Sequence, residues 1–152
     1  MALKEKLQSD LTQSMRDRNE LRSGTIRMVL TAIKNEEVSG KEARELSDAE
    51  VITVLSREAK KRREAAEAYE QAGAKDRAAT EKAEGEIIAT YLPAQLSESE
   101  IKDLINAAIA ETGASGPQQM GLVMKSIQPK IAGRADGGLV SSLVKAALSG
   151  GN

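Results

Sequence analysis

An all-α fold is predicted for this chain, and three observations predict it. Apolar residues recur at three- and four-residue intervals along most of the sequence, the spacing that lines one face of a helix. No segment of strand length alternates apolar and polar residues with period two. Of the 152 residues, 40% are hydrophobic but only 1% aromatic, so the core must be built from Ala, Leu, Ile, Val and Met. Strands favour aromatic and β-branched residues, and this composition disfavours them. The expected architecture is an N-terminal helical domain of about four helices over residues 1–92, followed by a small three-helix domain over residues 93–152.

The first helix is expected from about Ala2 to Arg18, with Leu3, Leu7, Leu11 and Met15 on one face. A second is centred on Ile26, Val29, Leu30 and Ile33 and ends before Gly40, which is placed to take the left-handed conformation that closes a helix. Ser47-Asp48-Ala49-Glu50 is a capping box: Ser47 and Glu50 each satisfy a backbone donor of the other. It opens a third helix running to about Ala72, which Gly73 stops. The fourth covers roughly Asp76 to Leu92, with Ala79, Ala83, Ile87, Ile88 and Tyr91 as its apolar positions. Pro93 ends it, because proline lacks an N–H and restricts the residue before it.

Ser97-Glu98-Ser99-Glu100 repeats the capping-box spacing and opens a helix through Ile101, Leu104, Ile105, Ala108 and Ile109. Residues 113–116 form a loop, and Pro117 suits the first turn of the next helix, which carries Met120, Val123, Met124 and Ile127. Gly133-Arg134-Ala135-Asp136-Gly137-Gly138 is a turn, and Asp136 can cap a last helix holding Leu139, Leu143, Val144 and Leu148. Charge density marks the domain boundary. Of 22 basic and 23 acidic residues, only five of each fall in residues 93–152, a segment that also holds all three prolines.

Composition excludes several functions. Without Cys or His there is no disulfide framework, zinc finger, thiolate nucleophile, Ser-His-Asp triad or imidazole acid–base group. The acidic residues show no Glu-x-x-His or calcium-loop spacing, so no metal site is indicated, and no cofactor is expected. The scarcity of aromatics disfavours RNA-binding modules that stack bases on several Phe or Tyr side chains. No uncharged stretch, Gly137 to Val144 included, is long enough to span a bilayer, and the N-terminal string beginning at Met1 has no apolar signal-peptide core. No membrane association and a cytoplasmic location are expected.

The densest basic run, Arg57-Glu58-Ala59-Lys60-Lys61-Arg62-Arg63, lies in the middle of the third helix. Arg57, Lys60 and Lys61 share one side of that helix with Glu64, while Arg62 and Arg63 point elsewhere. The run reads either as a phosphate-contacting face or as a solvated face with pairs such as Glu58 with Arg62 and Arg63 with Glu67. Arg16, Arg18, Arg22, Arg27 and Lys34 form a second basic set, in which Arg27 is either half-buried and paired, the favoured reading, or projects from a boundary. Gly121, inside a helix, calls for close packing or a close ligand. The Gly133–Gly138 turn before a helix, with Arg134, could hold a phosphate, but it lacks the spacing of a phosphate-binding loop, and the cap reading is favoured.

Six strings in order then resemble a known family across essentially the whole chain: Ser14-Met15-Arg16; Thr25-Ile26-Arg27; Lys60-Lys61-Arg62 with Tyr69 and Ala72-Gly73; Glu86-Ile87-Ile88 leading to Tyr91-Leu92-Pro93-Ala94-Gln95-Leu96-Ser97; Met120-Gly121-x-Val123-Met124; and Gly133-Arg134-Ala135-Asp136-Gly137. They are similar to the GatB/YqeY family. Three departures from its pattern (Ser14 for Ala, Arg16 for Lys, Ile26 for Leu) leave fold and charge intact. The resemblance implies an N-terminal helical domain and a three-helix tail similar to the end of the tRNA-dependent amidotransferase B subunit. In such enzymes the tail contacts the tRNA body and does no chemistry. Family members are often described as carbon–nitrogen ligases with glutamine as amido donor. The kinase-like portion of the B subunit and the Ser-Lys site of its amidase partner have no counterpart in these 152 residues.

The expected function is therefore a noncatalytic module for tRNA or other structured RNA, working beside an aminoacylation or amidotransferase partner protein. The candidate RNA-binding residues are Arg57, Lys60, Lys61, Arg63, Lys125, Lys130 and Arg134. The alternatives are a component of amide transfer, which rests on the resemblance alone, and a protein–protein adaptor using an apolar patch around Met120, Met124 and Ile127.

Overall fold

A computed structural model describes residues 2–150; Met1 of the N-terminal string and residues 151–152 lie outside the described residues. The described residues form seven α-helices and one 3-10 turn, with no strand. In chain order these are α1 (Leu3–Arg16), α2 (Glu20–Glu37), α3 (Asp48–Gln71), α4 (Lys75–Ala89), α5 (Glu98–Thr112), the 3-10 turn Pro117–Gln119, α6 (Met120–Ile131) and α7 (Gly137–Leu148). The chain divides into two compact units, Met1–Leu92 and Pro93–Asn152.

In the first unit α3 packs most extensively on α4, and α1 on α2. Leu7, Ile26, Val29, Ile33, Val51, Val54, Leu55, Ile88 and Tyr91 form its buried core. The expected faces of α1 and α4 are inward at Leu7, Ile88 and Tyr91, with Leu3 and Leu11 packed against the core, but single positions differ. Met15 is 45% exposed, and Ser14 takes the inward position instead. Likewise Ala78 is buried on α4 while Ala79 is exposed. A four-residue step overshoots the helical turn by about 40°, so a face drawn from Leu3 in steps of four rotates out of the core by its fourth member. The buried Ser14 hydroxyl donates to Leu11 O at 2.9 Å and meets Ser23 Oγ, also at 2.9 Å.

α1 stops at Arg16 because Arg18 adopts the left-handed conformation, with φ 56°. Arg18 N donates to Met15 O and Asn19 N to Ser14 O, the paired bonds of a Schellman cap. Gly40 does not have the expected left-handed role: α2 ends earlier, at Glu37, with Val38 as cap. Glu37 is the physical stop. Its buried carboxylate accepts both from Lys4 Nζ at 2.9 Å and from Leu46 N at 3.3 Å, and its carbonyl accepts from Arg44 N. That set of bonds ties the start of α1 and the loop before α3 to the end of α2. The Ser47 capping box forms as expected, and Gly73, at φ 78°, follows the end of α3. α4 ends at Ala89 rather than Leu92, with a tighter turn through Tyr91 N to Ile88 O and Leu92 N to Ala89 O before Pro93.

In the second unit α5, α6 and α7 pack pairwise around Ile101, Ile105, Ala108, Val123, Ile127, Ile131, Val140, Val144 and Leu148. The Ser97 capping box and the Asp136 cap, which accepts from Gly138 N, both form. Pro117 begins the 3-10 turn rather than α6 itself. On α7, Val144 and Leu148 are buried as expected, while Leu139 is 39% exposed and Val140 is fully buried in its place. Gly121 is exposed, and a Cβ built on it would meet nothing within 4 Å. The close-packing expectation for that glycine is therefore not met.

Candidate nucleic-acid interface

The basic run sits on α3, and the helix sorts it into different jobs. Arg62 is withdrawn from the surface: Nη1 lies 3.2 Å from Glu81 and 3.4 Å from Glu84, both on α4, and its side chain is 21% exposed. It joins α3 to α4 and offers little to a ligand. Glu58 is buried and accepts from Lys61 Nζ at 3.1 Å, so the acidic member of the run is covered by its neighbour. Arg57 reaches Glu36 of α2 at 3.3 Å but keeps 56% of its side chain exposed, and that of Lys61 is 63% exposed. Lys60 and Arg63 also have interactions within the chain.

What remains toward solvent is a cationic side of Arg57 and Lys61, with Lys60 half-buried beside them, spanning about 6 Å of helix axis; Arg63 is exposed too but lies about 160° around the helix from Lys61. The next two turns carry exposed Glu64, Glu67 and Glu70. Surface ion pairs of this kind contribute on the order of 0–1 kcal/mol. A polyanion can therefore exchange with Glu36 for Arg57 at small expense.

The three tail candidates do not make one patch. Lys125 and Lys130 are both exposed on α6, but five residues at 100° each set them about 140° apart around it. Arg134 is committed to the backbone: Nε donates to Ala94 O at 2.9 Å and Nη1 to Lys130 O at 3.4 Å. The same turn accepts at Gly133 O from Gln95 Nε2, and Leu96 N donates to Arg134 O. Arg134 thus stitches residues 94–96 to the α6–α7 turn. Lys130 and Arg134 line a groove of about 580 Å³ together with Glu100 and Asp103, which balances its charge. The adaptor patch is also not formed as expected. Ile127 is buried, and Met120 and Met124 pack partly buried against the core of the second unit.

Features that sequence reasoning missed lie where α1, α2 and α4 meet. Tyr91 donates to Asp10, and Arg22 Nη2 donates to the Tyr91 hydroxyl at 3.3 Å. Burial pushes the Tyr91 phenol up from its ordinary pKa, and its hydrogen bond to Asp10 adds to this. The hydrogen bond with Tyr91 holds the Arg22 guanidinium above its ordinary value. Asp10 and Tyr91 are 81 residues apart in the chain, and no local pattern announces such a contact. Of the two readings of Arg27, the favoured half-buried one is not met: it projects to solvent and donates to the Met15 sulfur at 3.0 Å.

The described residues include no cluster of three or more His, Cys, Asp or Glu side chains able to hold a metal ion, and no helix long and apolar enough to cross a membrane. The geometry defines a small, two-unit, all-helical protein with a short cationic helix face. Residues 4–148 match the family model described as Yqey-like protein, and the chain belongs to that family. It is similar to a protein of Clavispora lusitaniae named altered inheritance of mitochondria protein 41, mitochondrial, with 31% identity over 147 residues, covering 95% of this chain and 84% of that one.

Proposed function

We propose that this YqeY-family protein is a noncatalytic accessory module that contacts tRNA or another structured RNA through its phosphate backbone. The observation that carries this reading is the exposed cationic side of α3, where Arg57 and Lys61 face solvent beside Lys60. Lys and Arg neutralise phosphate and release counterions, a mechanism that needs neither aromatic stacking nor a deep pocket. In a chain with two tyrosines and no Phe or Trp, it is the mode of RNA recognition the composition favours. Lys125 and Lys130 are secondary contacts in this reading. Arg134 acts by shaping the tail turn more than by touching phosphate.

The proposal includes two further points. The three-helix tail is related to the end of the amidotransferase B subunit, so the module works beside an aminoacylation or amidotransferase protein and performs no amide transfer by itself. The compartment proposed is the cytoplasm, although the name of the Clavispora lusitaniae relative places that protein in mitochondria. Filter binding of the full chain to tRNA tests the central claim. Retention should fall steeply with salt, with a slope of about −0.7 to −0.9 per phosphate contact. The triple variant Arg57→Gln, Lys60→Gln, Lys61→Gln should lose most of it. No retention of tRNA at low salt would refute the proposal.

A further inference from the structure

The α3–α4 hairpin is long, but only its base reaches the core of the first unit. Among the described residues, side chains of that core extend along α3 as far as Ala59 and next appear at Ile88, near the end of α4, with none between. Over residues 60–87 the buried side chains are Ala66 and Ala78, at 2% and 1% exposure. The pairing of α3 with α4 is extensive because small side chains let two helices approach closely. Each buried alanine removes a single methyl group from water, a small part of what a leucine or isoleucine contributes. Residues 60–87 are thus a two-helix arm closed over alanine.

Charge supplies the other ties across the arm. Arg62 Nη1 lies beside Glu81 and Glu84, Lys82 pairs with Glu70, and the Arg77 guanidinium lies 5.8 Å from the centroid of the Tyr69 ring. Lys82 and Glu70 are half-exposed, and ion pairs of that kind contribute little. The Arg62 cluster is more buried but imperfect: Arg62 Nε and Glu81 Oε2 are buried without a hydrogen bond among the described residues. Buried polar atoms in that state favour opening, because water satisfies them. The helix ends at the tip of the arm are weak as well. The last turn of α3 carries Glu70 and no basic residue, against the helix dipole, and Ala74 gives α4 no side-chain cap. Gly85 lies inside α4, where glycine lowers helix stability.

We propose that this arm opens and closes as one unit, the second half of α3 and α4 up to about Glu86 coming apart together while the core of the first unit stays folded. Contiguous segments open in this way where few apolar contacts anchor them. The boundary is set by Leu55 on α3 and Ile88 on α4, both buried in the core. Opening parts Arg62 from Glu81 and Glu84 and turns it to solvent. The closed arm therefore withholds one guanidinium of the α3 basic run, with α4 as the element that holds it back. This motion needs no RNA on α3.

Native-state amide hydrogen exchange of the full chain, followed by NMR over a range of low denaturant concentrations, tests this. Amides of Ala66, Tyr69, Glu81 and Ala83 should be at least about tenfold less protected than those of Val29 and Leu55. They should share one denaturant dependence, shallower than that of the core, because opening the arm exposes less surface than unfolding does. Gly85→Ala should slow all the arm amides by about fivefold. A Cβ at that position would meet Arg62 Cβ at 3.6 Å, an ordinary contact. Arg62→Met leaves Glu81 and Glu84 without their cation and should speed the arm amides by about tenfold. Ile33→Val is the decisive variant, since Ile33 is fully buried in the core and remains folded when the arm opens. It should speed exchange at Val29 and Leu55 by about threefold to tenfold and leave the arm amides unchanged. Arm amides that follow Ile33→Val as the core does, or that do not respond to Gly85→Ala and Arg62→Met, would overturn the proposal. So would equal protection and equal denaturant dependence in arm and core. Arm amides that each follow a separate dependence would overturn it too, since that pattern is fraying of helix ends and not the opening of a unit.

Discussion

Replacing Ser14 by alanine should destabilise the first unit more than replacing Ser23, although the two hydroxyls are bonded to each other. The asymmetry follows from where the protons go. Ser14 Oγ donates to Leu11 O at 2.9 Å, so in the shared 2.9 Å contact Ser23 is the donor and Ser14 the acceptor. Both residues are buried, at 2% and 5% exposure. Ser14→Ala strands the Ser23 hydroxyl without a partner, a loss of about 1–3 kcal/mol. Ser23→Ala leaves Ser14 bonded to Leu11 O, and the loss should be nearer 0.5–1 kcal/mol. The double variant removes both groups together. It should lie closer to Ser23→Ala than to the sum, a coupling of about 1–2 kcal/mol. For a unit of this size each kcal/mol moves Tm by roughly 4–8 °C. Tyrosine fluorescence reads the first unit selectively, since Tyr69 and Tyr91 both belong to it and the chain has no Trp. Equal losses for the two single variants, or strict additivity in the double, would refute the proton assignment and the argument built on it.

Three further outcomes are expected. Gly121→Ala should raise stability by about 0.5–1 kcal/mol by circular-dichroism melting, because an exposed helical glycine with open space at its Cβ gains from a methyl group. Ile105→Ala should lower it by about 2–5 kcal/mol in the same assay, since that side chain is 1% exposed in the tail core. The hydrogen bond from Lys4 holds the Glu37 carboxyl below the usual glutamate range, with Leu46 N assisting against burial. A lowered folded-state pKa contributes stability that is complete above the unfolded value and is lost as pH falls through the folded one. Acid titrations of the tyrosine signal should therefore show a stability loss below the ordinary glutamate pKa, and Glu37→Gln should flatten it.

Much of the fold was legible because its punctuation is local. The boxes at Ser47 and Ser97, the Asp136 cap and the stop at Gly73 each need only three or four adjacent residues, and each formed. The inward faces of α1, α4 and α7 are legible at Leu7, Ile88, Val144 and Leu148, and one position on each differs. There, packing against a partner selects among Ser14 or Met15, Ala78 or Ala79, and Val140 or Leu139. The polar core pair was hidden for the same reason: a serine in a helix announces nothing until a second serine nine residues on is folded against it. At the candidate interface the cationic run was visible as a string, but its division of labour was not. Arg62 is taken out of it by carboxylates 19 and 22 residues further on.

The reversal of sign along α3 sets a limit on valence. The side of α3 that carries Arg57, Lys60 and Lys61 offers at most three phosphate contacts before Glu64, Glu67 and Glu70 turn a strand away. Three contacts correspond to a salt exponent of only about −3. An RNA held on α3 alone is held by a short, fast-exchanging grip. Residence would then be governed by avidity: a second point of attachment raises the local concentration at the first.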